Sequence, residues 1–140
     1  MHSAESDWIQ GFDKPEVLRA EECPYCGKKP EYVDSSVVYG RSYGMIFLCA
    51  PCDAYVGIHK GTNSPKGRLA NEELREWKKL AHAAFDPLWQ KYGFSRHKAY
   101  KWLRLELEIP PENCHIGMFN CKMCQLTVDM VRLAKDLGEF

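Results

Sequence analysis

Apolar positions follow two different rhythms along the chain. Between Glu21 and His59 they come as brief runs at 32–38, 45–49 and 54–58, with a turn expected at 39–44. Runs this short, rich in Val, Ile, Tyr and Phe and bounded by Gly, Pro and Ser, predict strands. Residues 60–70 are rich in Gly, Pro, Ser and Thr, and beyond them the period becomes helical. Leu74, Trp77, Ala81, Ala84 or Phe85, and Leu88 then mark one helix face. Asn71 is placed to cap that helix, with Glu72 and Glu73 in the first turn where the helix dipole favours acids. Asp86-Pro87 either kinks the helix or ends it and starts another, and Tyr92-Gly93-Phe94 breaks the pattern. Ser95 is the expected cap of a further helix lined by Ala99, Trp102 and Leu103, with Leu107 behind, and Ile109-Pro110-Pro111 stops it. An irregular piece at 113–119 precedes a last helix from about Asn120 to Leu137, ended by Gly138. Residues 1–20 are polar with scattered apolar positions, compatible with a short docking helix or a loose arm.

Composition narrows the picture. The chain has 140 residues, 45% hydrophobic and 12% aromatic, enough for a packed core and too apolar for a disordered chain. The longest apolar run, 45–50, is far short of the ~20 residues that span a bilayer. The first residues show neither a positive nor an apolar export region, so the expected compartment is the cytoplasm, with no membrane partner.

Seven cysteines sharpen this further. Cys23, Cys26, Cys49 and Cys52 form C-x2-C-x22-C-x2-C. Two residues between cysteines let one tight turn present two thiolates, and two such turns complete the tetrahedron that zinc prefers. Gly27 stands after the first pair, where the turn commonly requires a positive φ. In a reducing compartment the pattern reads as a structural zinc site rather than as disulfides. A redox Cys-x-x-Cys fits poorly, because neither pair opens a helix after a strand. Cys114, His115, Cys121 and Cys124 make a candidate second metal set, but the preferred reading is that these cysteines are small buried hydrophobes.

The expected architecture is therefore α+β. An arm at 1–20 precedes an N-terminal zinc ribbon at 21–59 with a small antiparallel sheet. A basic loop and C-terminal helical region at 60–140 pack on it to give one compact unit.

Lys+Arg and Asp+Glu number 19 each, but they are unevenly spread. Residues 1–58 carry five basic and nine acidic groups, 59–104 carry eleven and four, and 105–140 carry three and six. Within the basic block, loop 59–68 holds Lys60, Lys66 and Arg68, with Thr62 and Ser64 hydroxyls, before a helix N-terminus. That arrangement suits phosphate. Arg75, Lys78, Lys79 and His82 form one helical stripe, and His97, Lys101 and Arg104 form another. The expected partner is accordingly nucleic acid, through Lys60, Lys66, Arg68, Arg75 and Lys79. A protein-binding adaptor or inhibitor is the alternative, and it would show an aromatic surface drawn from Trp8, Tyr25, Tyr43 and Tyr55. A small metal-dependent hydrolase using His59, His82, Asp86 and His115 comes third. No H-E-x-x-H or deaminase pattern supports it, and the non-enzymatic reading stands first.

The motifs taken in order carry a family likeness. They are Cys-Pro-Tyr-Cys-Gly at 23–27, Cys-x-x-Cys-Asp-Ala-Tyr-Val-Gly at 49–57 and His-x-Gly-Thr-x-x-Pro-x-Gly-Arg-Leu-Ala at 59–70. Further along come Ala-His-x-x-Phe-Asp-x-Leu-Trp at 81–89, Ala-Tyr-x-Trp-Leu at 99–103 and Cys-His-Ile-Gly-Met-Phe at 114–119. From about Cys23 to Val131 the chain resembles a family of small bacterial and phage proteins described as a zinc-finger-containing domain of unknown function. The resemblance implies zinc on Cys23, Cys26, Cys49 and Cys52 and a prokaryotic or phage source, and it implies no activity.

Overall fold

The apolar runs between residues 31 and 57 build a three-stranded sheet in a computed structural model, which describes residues 20–139. Almost all of the expected N-terminal arm, Trp8 included, lies outside the described residues. Contacts cluster the rest into two compact units, 20–75 and 76–139. The first unit ends at Arg75 and includes loop 60–70.

In the ribbon unit, β1 (Glu31–Asp34), β2 (Met45–Cys49) and β3 (Ala54–Gly57) pair antiparallel in the order β1-β2-β3. Val33 faces Ile46, while Phe47 faces both Tyr32 and Val56, and Cys49 faces Ala54. Residues directly opposite share a sheet face. One face therefore carries Tyr32, Phe47, Cys49, Ala54 and Val56, and the other carries Tyr55. The core on the first face is small: Ala20, Cys23, Cys49, Ala54, Val56 and Leu69, with Phe47 and Cys52 packed against it.

The first strand is shorter than its apolar run predicts. Val37 and Val38 lie in a single helical turn, α1 (Ser36–Tyr39). The Asp34 carboxylate accepts the Ser36 N–H at 2.9 Å and the Ser42 hydroxyl at 2.7 Å, while Ser35 Oγ accepts the Tyr43 N–H. These side chains offer the backbone a turn in place of a ladder, and Gly40 at φ +79° closes it.

Loop 59–70 is held by its own backbone. It runs antiparallel to β3 through paired bonds between Tyr55 and Ala70, and Lys66 N–H donates to Gly57 O at 2.9 Å. His59 N–H donates to Ser64 O, and Thr62 Oγ1 donates to His59 O and accepts from Ser64 N–H.

Helix α2 (Glu72–Phe85) begins at Asn71, whose Oδ1 accepts the Leu74 N–H at 3.0 Å. Proline cannot continue a helix interior, so α2 ends at Phe85 and Pro87 opens the one-turn α3 (Pro87–Gln90). Ser95 caps α4 (Arg96–Leu107) by accepting the Lys98 N–H, and Glu108 at φ +57° closes it. Two 3-10 turns, Pro111–Asn113 and Ile116–Met118, fill the irregular piece. Helix α5 (Cys121–Asp136) is capped by Asn120, which accepts the Met123 N–H at 2.9 Å. The core of this helical unit gathers Phe85, Leu88, Leu103, Ile116, Phe119, Met123, Cys124, Thr127 and Val131. Trp77, Trp89 and Trp102 are only half-buried at its margin.

The cap has a measurable consequence. Asn120→Ala should lower stability by about 1 kcal/mol, because the first turn of α5 loses the acceptor for one of its free N–H groups. A urea midpoint equal to that of the wild type would show that water replaces the cap at no cost.

Candidate metal centre

Two turns deliver the four thiols by different means. In the first, Gly27 N–H donates to Cys23 O and Cys23 N–H donates to Lys28 O, each at 2.8 Å, and Tyr25 N–H reaches Cys23 Sγ at 3.4 Å. Gly27 sits at φ +78°, a backbone state that other L residues seldom take. In the second, Ala50–Cys52 make one 3-10 turn with Pro51 near its start, and Asp53 closes it at φ +50°. Aspartate tolerates this left-handed state better than most residues with a side chain. It also has a second role. Arg75 donates to Asp53 O at 2.7 Å and to Ala70 O at 2.8 Å, and pairs with the Asp53 carboxylate at 3.1 Å. The guanidinium lies 4.2 Å from the Tyr55 ring centroid.

The four sulfurs lie within 4.8 Å of one another, with Cys26 Sγ 3.6 Å from Cys49 Sγ. A zinc ion bonded to four thiolates at ~2.3 Å sets them about 3.8 Å apart, so the set needs only slight adjustment to close on the ion. The thiols differ in their readiness to ionise. A hydrogen bond from the Lys28 backbone holds Cys26 down to about 7, whereas burial pushes Cys49 up and Cys52 up to about 12. Four thiolates this close repel strongly, and a dication is the partner that lets all of them ionise. All seven cysteines are free of disulfides. Zinc held by these four cysteines would have no open position, and its role would be to hold the fold.

Among the described residues this is the one group of three or more metal-ligating side chains. Cys114, His115, Cys121 and Cys124 are not brought together as a ligand set. Cys114 is buried, with its thiol directed at Tyr100 O at 3.7 Å, and Cys124 lies in the core. The hydrolase candidates are likewise dispersed. His82 Nδ1 meets the Asp86 carboxylate at 3.2 Å as an ordinary i, i+4 helix pair, His115 lies against Tyr100, and His59 belongs to the ribbon unit.

The expected phosphate-contacting residues divide into two groups. Lys60 and Lys66 are exposed on loop 59–70. Arg68 is buried at 9% exposure, and Arg75 is engaged by Asp53, Ala70 and Tyr55. Lys79 is exposed and pairs with Glu76 at 3.1 Å. Charge spacing alone could not distinguish an outward cation from an inward clamp. The role of Asp53 was hidden too, because nothing in a Cys-x-x-Cys-Asp string marks a positive φ. Among the described residues no helix is long and apolar enough to cross a membrane.

No curated protein and no solved structure is significantly similar to the chain. The family model described as a zinc-finger-containing domain matches residues 19–135, a span that includes all four ribbon cysteines. The chain belongs to this zinc-finger-containing domain family.

Proposed function

We propose that the chain is a zinc-stabilised, non-enzymatic module whose ribbon unit contacts nucleic acid. The observation that carries this reading over the adaptor, which calls for an aromatic surface alone, is that the exposed tyrosines stand beside cations. Tyr39 meets Tyr43 and Tyr55 edge-on, at centroid distances of 5.6 and 5.9 Å. Tyr39 is 51% and Tyr43 68% exposed, and the Arg41 guanidinium stands 5.4 Å from the Tyr43 centroid. Open aromatic rings accept unpaired bases, at about 1–3 kcal/mol per stacked base, and are tolerant of sequence. Lys60 and Lys66 supply phosphate contacts, while Arg75 fixes Tyr55 from behind rather than meeting the ligand. Single strands are therefore favoured over duplex.

Fluorescence anisotropy with labelled single- and double-stranded oligonucleotides tests this. Tyr43→Ala should weaken single-strand binding about 5- to 150-fold, the equivalent of one stacked base. Replacing both Lys60 and Lys66 by Ala should reduce the log–log salt slope by about 1.4, on a scale of about 0.7 per phosphate contact. If no nucleic acid binds at low ionic strength, the exposed tyrosines favour the adaptor instead, with Tyr25 and Tyr43 anchoring a protein partner.

A further inference from the structure

The helical unit contains a cleft of about 580 Å³, within the range of small-ligand sites. One wall is α4, which contributes Arg96, His97, Tyr100, Lys101 and Arg104. The other is the segment after α4, through Pro111, Cys114 and His115. We propose that this cleft is a binding site for a small phosphate-bearing molecule, with Arg96, Lys101 and Arg104 as its cationic wall and Tyr100 and His115 as its ring surfaces. All of its lining residues belong to the helical unit, and none of them is among those proposed for nucleic acid.

Three features point to an anion. The lining includes three permanent cations and two imidazoles, and no carboxylate. Like charges one turn apart on a helix repel, so Lys101 and Arg104 form a face that a bound anion would relieve. Positive charge reaches His115 as well: its pKa is lowered by partial burial and then by the charge of Arg96. Arg96 is also poised. Its guanidinium lies 5.7 Å from both the Trp89 and Tyr100 ring centroids, so its donors are oriented before any ligand arrives.

The floor of the cleft is equally informative. Cys114 is buried, and burial raises its thiol to about 12, so it adds no negative charge at neutral pH and is no nucleophile. Tyr100 packs on Phe85 with ring centroids 4.6 Å apart and meets the His115 ring at 5.7 Å. Rigid rings beside a guanidinium fork suit a planar group carrying a phosphate, and a mononucleotide is of the right size. The phosphate could equally belong to a nucleic-acid chain, so the test separates the two sources.

The zinc-loaded full chain should be titrated calorimetrically with AMP, adenosine, inorganic phosphate and a short single-stranded oligonucleotide lacking terminal phosphates. AMP should bind saturably at one site, inorganic phosphate should compete, and adenosine should give no comparable heat. Replacing Lys101 and Arg104 together by Gln should weaken AMP at least tenfold with an unchanged melting curve. Tyr43→Ala in the ribbon should leave AMP binding as it was, so a failed ribbon surface and a failed cleft give different results. In the wild type, phosphate should shift the imidazole resonances of His97 and His115 and leave those of His59 and His82 in place. Equal binding of AMP and adenosine, indifference to the Lys101 and Arg104 changes, or a uniform response of all histidines would overturn the proposal. Binding of the oligonucleotide in the cleft without binding of AMP or phosphate would overturn it as well.

Discussion

Removing zinc should collapse the ribbon. Circular dichroism and amide spectra of protein treated with a strong chelator should lose the signals of residues 20–75 and regain them on adding zinc. The reason is the size of the core. Among the described residues six buried side chains make it up, two of them are ligands, and three are alanine, valine and alanine. So little apolar area cannot offset the backbone entropy of ordering some fifty residues at ~1–2 kcal/mol each. Structural zinc in finger peptides supplies an apparent 10–16 kcal/mol at neutral pH, as much as the whole stability of a typical domain. Cys26→Ser is the decisive variant, because Cys26 is exposed and its replacement disturbs no packing. It should lose the metal and the ribbon's order together. Cys114→Ser, at a buried site outside the four, should keep one zinc per chain. Because only thiolates bind, acid should act like the chelator: the stability is present at neutral pH and lost as the ligands take up protons. A ribbon with the same spectrum in the presence and absence of metal would refute this account.

Phe119→Ala should be among the most damaging single truncations in the helical unit. Phe119 is fully buried between the second 3-10 turn and the cap of α5, in the same core as Phe85, Leu88 and Met123. Truncating a buried phenylalanine costs about 3–5 kcal/mol, through lost transfer energy and the cavity left behind. That is a large fraction of the stability a unit this small can hold. Urea unfolding followed by tryptophan emission should show the transition moving to much lower denaturant, while zinc content stays the same. Phe119→Leu should recover most of the loss. A shift no larger than that expected for Asn120→Ala would mean the site collapses around the deletion.

How legible all this was depends on how local the cause is. Asn71, Ser95 and Asn120 were each readable as caps, because a cap is decided within four residues and each accepts the expected N–H. The four-cysteine site was readable for the same reason: each turn is set by its own Cys-x-x-Cys, and only the return of the hairpin is nonlocal. Val37 and Val38 misled because β-branched residues suggest strand, while Asp34 and Ser35 beside them had already committed the backbone to a turn. Ile116 and Phe119 gave no helical or strand period, since they sit on a 3-10 turn and just beyond it, yet they are central to the core. The cations were least legible. Loop 59–68 resembled an open phosphate cradle, but several of its N–H groups and the Thr62 hydroxyl are engaged within the loop or along β3. Arg75 looked like a surface charge and proved to be a clamp. Arg96 fell outside the recognised stripe, and only its contacts with two rings bring it into the cleft.

The run of loop 59–70 along β3 also determines how this protein can meet other copies of itself. A bare edge strand is a template for adding further strands, the route to sheet-by-sheet aggregation. Here that edge is occupied by backbone of irregular shape, and Pro65, which faces Ile58, has no N–H with which to continue a ladder. Among the described strands, growth of the sheet is left open on the β1 side alone, and β1 is four residues long with an acid at each end. Short length and charge discourage pairing there as well. The loop thus works as a built-in terminator, denying further strands the β3 edge of a sheet of three short strands.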